Sequence, residues 1–352
     1  MILRGWPVSP YTEKTLAYCK YANVNVSMKV STVLDLYFIV RKHIGRVVMP
    51  TLTLDDGRWL QDSTEIIEHF EQKHDTLTPP SPLMHFLSLA LELFGDEWLI
   101  VIAMFTRWRI DGNPSFAISE FGRHGFPWFP QPLQHLCARE MAKTLQAHLP
   151  RMGLTEQMGQ ALLAHLDEWL GAMDYHLSQH DYLLGGRPCL GDFACMGPLY
   201  AHVWRDPHSR DLISGYEHVM AWMMRVREGS AATGDWFDEV PESLEAVLRP
   251  IWTLMVPWIK LVVEAVNQWC DEHPDATRVP RALGWATFEV NGVSSQRKLV
   301  TYIQWMAQRP LALLDDEAVA RWVTQHEEAR ALLELDVRYP LYRRDFREWL
   351  HP

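Results

Sequence analysis

Positive charge is in short supply in this chain. Lys and Arg number 33 against 44 Asp and Glu, a net charge of -11. A surface that neutralises phosphates would be basic, so nucleic acid is excluded as a partner, and an anionic membrane is an equally poor match. Cysteine is scarce and odd in number: Cys19, Cys137, Cys189, Cys195 and Cys270. No two have metal-ligand spacing, so neither a disulfide framework nor a zinc site is expected, and reduced thiols in a cytoplasmic compartment are the simplest reading. The sixteen histidines include no His-x-x-x-His pair with an acidic residue between; no metal is expected. A Gly-rich phosphate loop and a Gly-x-Ser-x-Gly elbow are both lacking. The most apolar stretch, residues 251–266, is broken by Pro257, Lys260 and Glu264 and falls short of the ~20 residues a membrane span needs. The N-terminus lacks the basic-then-apolar pattern of a secretory leader. No internal repeat or low-complexity tract is present.

What is abundant is tryptophan, with sixteen residues, which suggests aromatic-lined cavities or interfaces as well as cores. The 352 residues suffice for two domains, and 48% hydrophobic with 22% charged residues is an ordinary globular balance. The run Met1-Ile2-Leu3-Arg4-Gly5 reads as a first strand. Helical spacing of Leu16, Ala17-Tyr18 and Cys19 follows. Ser9 therefore sits at a helix N-terminus, where unpaired N–H groups and the helix dipole favour an anion. Alternation over residues 24–30 predicts a second strand with Val24, Val26, Met28 and Val30 inward. Residues 51–54 and 58–60 flank Asp55-Asp56-Gly57, a hairpin with Asp-Gly turn chemistry. Asp62 and Glu65 form a capping pattern ahead of Ile66, Ile67 and Phe70. The order is βαβ, a connecting helix, then ββα, ending near His74.

Four segments carry a resemblance. Ser9-Pro10-Tyr11-Thr12 resembles the Cys-Pro-Tyr-Cys turn of glutaredoxins with hydroxyls in place of both thiols. Continued through Glu13-Lys14-Thr15, it resembles the Cys-Pro-Phe-x-Glu-Arg-Thr segment of omega-class glutathione transferases. Arg46-Val47-Val48-Met49-Pro50-Thr51-Leu52 resembles the Val-Pro-x-Leu segment of thioredoxin folds, whose proline is cis. Gln61-Asp62-Ser63 fits the acidic-Ser pair of the same family. Tyr182 to Phe193 resembles its Leu-x-Gly-x-x-x-Ser/Thr-Leu-Ala-Asp segment, with Cys189 at the cap, Gly191 for alanine, and Asp192 in a structural role. The chain is thus similar, over roughly residues 1–230, to serine-type, omega-like members of the glutathione transferase superfamily.

The resemblance implies an α+β fold: a thioredoxin-like domain over 1–76, an all-helical domain over 83–235, and an extension over 236–352. A linker occupies residues 75–82. Helices are expected over 83–109, 139–149 and 155–177, with a Gly/Pro/aromatic loop at 122–132. In the extension, a helix over 242–269 kinked at Pro257, a β-hairpin near 285–300 turning at Asn291-Gly292, a helix over 311–335 and an aromatic-basic tail from Arg338 are expected, all packed on the helical domain. The resemblance also implies glutathione as co-substrate. The Met49 backbone, before Pro50, would hold its middle, and Gln61, Asp62 and Ser63 its γ-glutamyl end. Ser9, with Tyr11 in reserve, would activate its thiol. An apolar electrophile would sit between Trp6, Pro7 and Tyr11 on one side and Trp98, Phe105, Arg107 and Trp108 on the other. For Arg107 and Arg109 two readings stand side by side, a pair with Asp96 or Glu97 of a neighbouring chain and an anionic ligand. A homodimer is expected. The competing class is a ligand-binding or scaffold protein that kept the fold and lost glutathione.

Overall fold

The computed structural model describes residues 1–344 and 346–351; Asp345 and Pro352, both in the expected tail, lie outside the described residues. The first unit runs β1 (Ile2–Gly5), α1 (Pro10–Tyr21), β2 (Ser27–Val30), a π-helical turn (Asp35–Val40) continuing into α2 (Arg41–Ile44), β3 (Thr51–Thr53), β4 (Trp59–Gln61) and α3 (Ser63–His74). The sheet order is β2-β1-β3-β4, with β2 parallel to β1 and the other pairs antiparallel. This is the thioredoxin-like half. Strand β2 is shorter than the alternation predicts, and Val30 is 39% exposed rather than inward. The preceding residues turn the chain off α1, with Asn23 at φ 53° and the Val24 N–H bonded to Cys19 O, and β2 is an edge strand with one neighbour.

The helical half follows. α4 (Pro82–Phe94) is capped by Ser81 and runs through a π turn (Gly95–Leu99) into α5 (Ile100–Arg109). Next come α6 (Asn113–Gly125), α7 (Gln131–Gln146), α8 (Glu156–Leu177), α9 (Leu190–Pro198), α10 (Asp211–Ser214) and α11 (Glu217–Glu228). The loop expected at 122–132 is narrower, because α6 reaches Gly125 and α7 begins at Gln131. Pro114 and Pro132 stand in the first turns of these helices, where the missing N–H costs nothing. α9 is the buried central helix. Asp192 accepts N–H bonds from Cys189 at 2.8 Å, Leu183 at 3.0 Å and the Trp222 indole at 2.7 Å. Its role is the structural one.

Beyond residue 236, α12 (Glu242–Pro250), a π turn (Ile251–Met255) and α13 (Val256–Glu272) form one continuous helix. The π turn lies just ahead of Pro257 and absorbs the N–H that proline lacks. By length and composition this helix is apolar enough to cross a membrane, and 61% of its apolar window is buried inside the protein. β5 (Ala282–Val290) and β6 (Val293–Val300) form the hairpin, turning at Asn291 (φ 48°) and Gly292 (φ 76°), the left-handed pair a tight hairpin turn demands. The single helix expected over 311–335 is instead α14 (Tyr302–Leu311), α15 (Glu317–Gln325) and a 3-10 segment (Glu327–Glu334). The tail forms a second hairpin, β7 (Tyr342–Arg344) with β8 (Arg347–Trp349).

One apolar core runs through all of this, from Leu3 to Leu332. Phe86 of α4 stacks on Trp252 with ring centroids 6.1 Å apart, and Trp252 meets Trp322 of α15 at 5.8 Å. Extension and helical half therefore share an interior.

Candidate functional site at the edge of the thioredoxin-like sheet

Strand register brings the three motifs together. Arg4 of β1 pairs with Thr51 of β3, and Thr51 with Gln61 of β4. Ser9 after β1, Met49-Pro50 before β3 and Asp62-Ser63 after β4 therefore emerge at one edge of the sheet. Ser9 is the N-cap of α1, its hydroxyl accepting from the Thr12 N–H at 3.4 Å. The Met49–Pro50 peptide is cis. Asp62 caps α3 with φ 88° and accepts the Thr64 N–H at 3.0 Å. Ser63 opens α3, is 4% exposed, and its hydroxyl takes no partner among the described residues.

The extension reaches this edge. The Tyr302 hydroxyl, at the start of α14, donates to Asp62 Oδ2 at 2.8 Å. Arg343 of the tail hairpin places its guanidinium 3.7 Å from the same oxygen, 3.2 Å from Glu65 and 2.5 Å from Glu348. It lies over the rings of Tyr302 and Trp305 and is 4% exposed. Burial works against its charge, but Glu65, Asp62 and Glu348 more than offset that. Burial pushes Glu65 up to about 7 despite Arg343. Arg46 donates both to Gln61 Oε1 at 2.7 Å and to the Phe346 carbonyl at 3.1 Å. Gln61 and Asp62 are thus both engaged by arginines tied to the tail.

Beneath lies a buried ion network. Lys14, one turn along α1, bonds Glu92 at 2.7 Å and Asp96 at 2.6 Å. Thr64 donates to Glu92 at 2.7 Å, and Arg309 of α14 pairs with Glu92 and with Glu68. Burial alone would raise Glu92, yet Arg309 and Lys14 hold it down to about 2. Asp96, with burial and Glu92 against it, goes up instead. The Tyr11 hydroxyl donates to the Asp96 carbonyl at 2.9 Å, and burial keeps it protonated. Next to it, burial pushes Glu97 up to about 8 although Arg297 of β6 stands nearby. Arg297 donates to the Glu97 carbonyl at 3.1 Å and lies over the Trp98 and Trp258 rings.

The residues expected to line an acceptor pocket sit deeper. Trp98, Phe105 and Trp108 are 1%, 1% and 5% exposed. Trp98 packs edge-on to Phe288 of β5, and Trp108 on Phe121. The Trp6 indole donates to the Ser31 carbonyl at 2.5 Å, and Pro7 beside it is partly exposed. Arg107 pairs within its own chain, making a bidentate contact with Asp206 at 2.8 and 2.7 Å. It also donates to the Val8 carbonyl at 2.7 Å and the Ala201 carbonyl at 2.6 Å. A fully engaged guanidinium is how a buried arginine is tolerated, and the Val8 bond pins the loop that presents Ser9. A cavity of about 330 Å³ lies on the other side of α3, lined by Ile67, Glu68, His85 and Arg309, away from Ser9.

Sequence reasoning missed Lys14, Glu92, Asp96, Arg297, Arg309, Tyr302 and Arg343. Glu92 had a signal, as the one charge in the apolar run of residues 86–94. Lys14 stood inside the quoted motif. The extension residues had none, since the groups they meet in the first two units lie roughly 200 positions or more away.

Residues 3–80 match the family described as glutathione S-transferase, N-terminal domain, and residues 136–229 match glutathione S-transferase, C-terminal domain. Among curated proteins no sequence match is found. Similar solved structures include FzlA from C. crescentus, with 16% identity over 71% of this chain and 91% of that one, TM-score 0.41. Beta-etherase LigF from Sphingobium is 17% identical over 70% of this chain and 97% of that one, TM-score 0.41. A glutathione S-transferase from Methylobacterium radiotolerans, in complex with glutathione sulfonate, is 16% identical over 68% and 97%, TM-score 0.39. With both domains matched, in the family's order and on the segments that build the sheet edge and the central helix, the chain belongs to the glutathione transferase superfamily.

Proposed function

We propose that the protein binds glutathione at this sheet edge and activates its thiol beside Ser9 for attack on an apolar electrophile, by conjugation, isomerisation or ether or thioether cleavage. The observation that carries the reading is the convergence of Ser9, Met49 and Asp62-Ser63 on one edge. The group fits the residues present. The N-terminus of the twelve-residue α3, with the unpartnered Ser63 hydroxyl, suits the γ-glutamyl carboxylate. Asp62 suits the ammonium, and Met49 offers its backbone to the cysteinyl unit. Bound glutathione supplies the nucleophilic sulfur. Ser9 donates its hydroxyl to the thiolate at the positive end of α1. Lowering a thiol pKa by about two units requires ~2.7 kcal/mol, within reach of those two contributions together. Serine forms no mixed disulfide, so transfer rather than thiol exchange is the expected chemistry.

A second reading, a binding or scaffold protein that no longer uses glutathione, is favoured by the engagement of Gln61 and Asp62 by Arg46, Tyr302 and Arg343. Titration calorimetry separates the two. Saturable glutathione binding that weakens by ~1.5–3 kcal/mol in Asp62→Ala, with Ser9→Ala raising the bound thiol's pKa while keeping affinity, supports the first. No binding by the folded wild type supports the second. The reading includes a homodimer in a reducing, cytoplasmic compartment; sedimentation at the 40.9 kDa of one chain would remove the dimer.

A further inference from the structure

We propose that the C-terminal hairpin is an internal competitor of glutathione, with the Arg343 guanidinium standing where the γ-glutamyl ammonium would stand. The proposal rests on the glutathione reading above and adds its regulation. Asp62 has one oxygen committed to the Thr64 N–H. The other receives the Tyr302 hydroxyl at 2.8 Å and faces Arg343 at 3.7 Å. An ammonium arriving at that oxygen would meet a guanidinium already beside it, held there by Glu65 and Glu348 as well, and would have to displace it to take the place. Arg46 bridges the Gln61 side chain and the Phe346 carbonyl of the same hairpin. Two of the three side chains expected to hold the γ-glutamyl end are therefore engaged from one short element, Asp62 directly and Gln61 through Arg46.

That element can leave without unfolding its neighbours. β7 and β8 are three residues each, and an isolated two-stranded hairpin is marginal at best. Its apolar anchorage is small: Leu341 and Leu350 meet Val266, Cys270 and Val279 in a satellite cluster, Phe346 alone of the hairpin's described residues packs on the margin of the main core, and two backbone contacts join β8 to Thr277 and Arg278. Tyr302 differs, because α14 packs between α4 and α13 and stays. Release of the tail removes Arg343 from Asp62 and leaves Tyr302 in place to orient it. Glu65 and Glu348, the other partners of Arg343, separate when the hairpin leaves, since one is on α3 and the other on β8.

The test uses the full chain. Arg343→Met keeps the stem that covers Tyr302 and Trp305 and removes the charge. If closed outnumbers open by about ten to one, the apparent affinity is reduced by that factor, and the variant should bind glutathione about tenfold more tightly by calorimetry. Coupling is reciprocal, so glutathione should speed tryptic cleavage after Arg344 and Arg347 in the wild type. Tighter binding together with faster cleavage supports the proposal. Unchanged or weaker binding in Arg343→Met, with a wild type that binds saturably, overturns the competitor and leaves the glutathione reading standing. If the variant does not fold, slower or unchanged wild-type cleavage with saturating glutathione overturns it alone. Absence of binding in both folded proteins ends the glutathione reading and the competitor with it.

Discussion

At the scale of single residues, the site is shaped by carboxylates that the fold forces out of water. Glu92 and Asp96 are buried outright, and Glu97 beside them is half-buried. Burial, Asp96 and Asp62 raise it from 4.5 to about 8 against the pull of Arg297. A carboxyl whose folded pKa lies above its unfolded value binds its proton more tightly when folded. Its contribution is complete below pH 4.5 and is lost as the pH rises through about 8. Glu97→Gln removes that slope. The variant should gain stability relative to the wild type as the pH goes from 5 to 9, read by thermal denaturation across that range; a constant difference would place Glu97 in contact with water. Lys14 shows the opposite use of a buried charge. With Glu92 and Asp96 both on its ammonium, it locks the helix that presents Ser9 to the helix that follows the linker.

Among the helices, close approach decides the geometry. A methyl group on Gly95 would lie 2.5 Å from the Ala194 carbonyl carbon, and one on Gly191 would lie 2.4 Å from Leu91 Cβ. Glycine at both places lets α9 lie against α4 and its π turn, and this contact explains why Gly191 stands where the family pattern has alanine. Gly95→Ala should cost ~1–3 kcal/mol through overpacking. Chemical denaturation measures it, and an unperturbed midpoint would mean that the α4–α9 contact opens without cost. The thioredoxin-like half was legible because its signals are local: Ser9 as a cap, Asp-Gly at a turn, Asp62 ahead of an apolar helix face. The Asn291-Gly292 hairpin was legible for the same reason. α6 was not, since its Gly122 and Gly125 read as loop residues while Pro114 gave only a weak start. The tail hairpin was not either. Two strands of three residues have no periodicity to detect, and what holds them is Arg343 on Asp62 and Glu65, a contact across the whole chain.

For the whole molecule, the extension is part of the interior. Trp252 and Trp322 cover Phe86, and Arg309 neutralises Glu92, which is fully buried. A chain ending at residue 235 would expose the α4 face and leave Glu92 with Lys14 and the Thr64 hydroxyl but without the Arg309 charge. It should aggregate on expression, checked by light scattering beside the full-length protein; a monodisperse truncated product would show that the two halves close their own core. The satellite position of the last hairpin has a mechanical side. Load applied at the C-terminus reaches β8 and β7 first, with their backbone contacts to Thr277 and Arg278, and only afterwards the bonds from Gln308 and Gln304 that tie Leu341 and Tyr339 to α14, and the Arg338–Asp271 pair. An unfolding machine that grips this chain by its end would therefore strip Arg343 from Asp62 in its first strokes, while every helix was still intact.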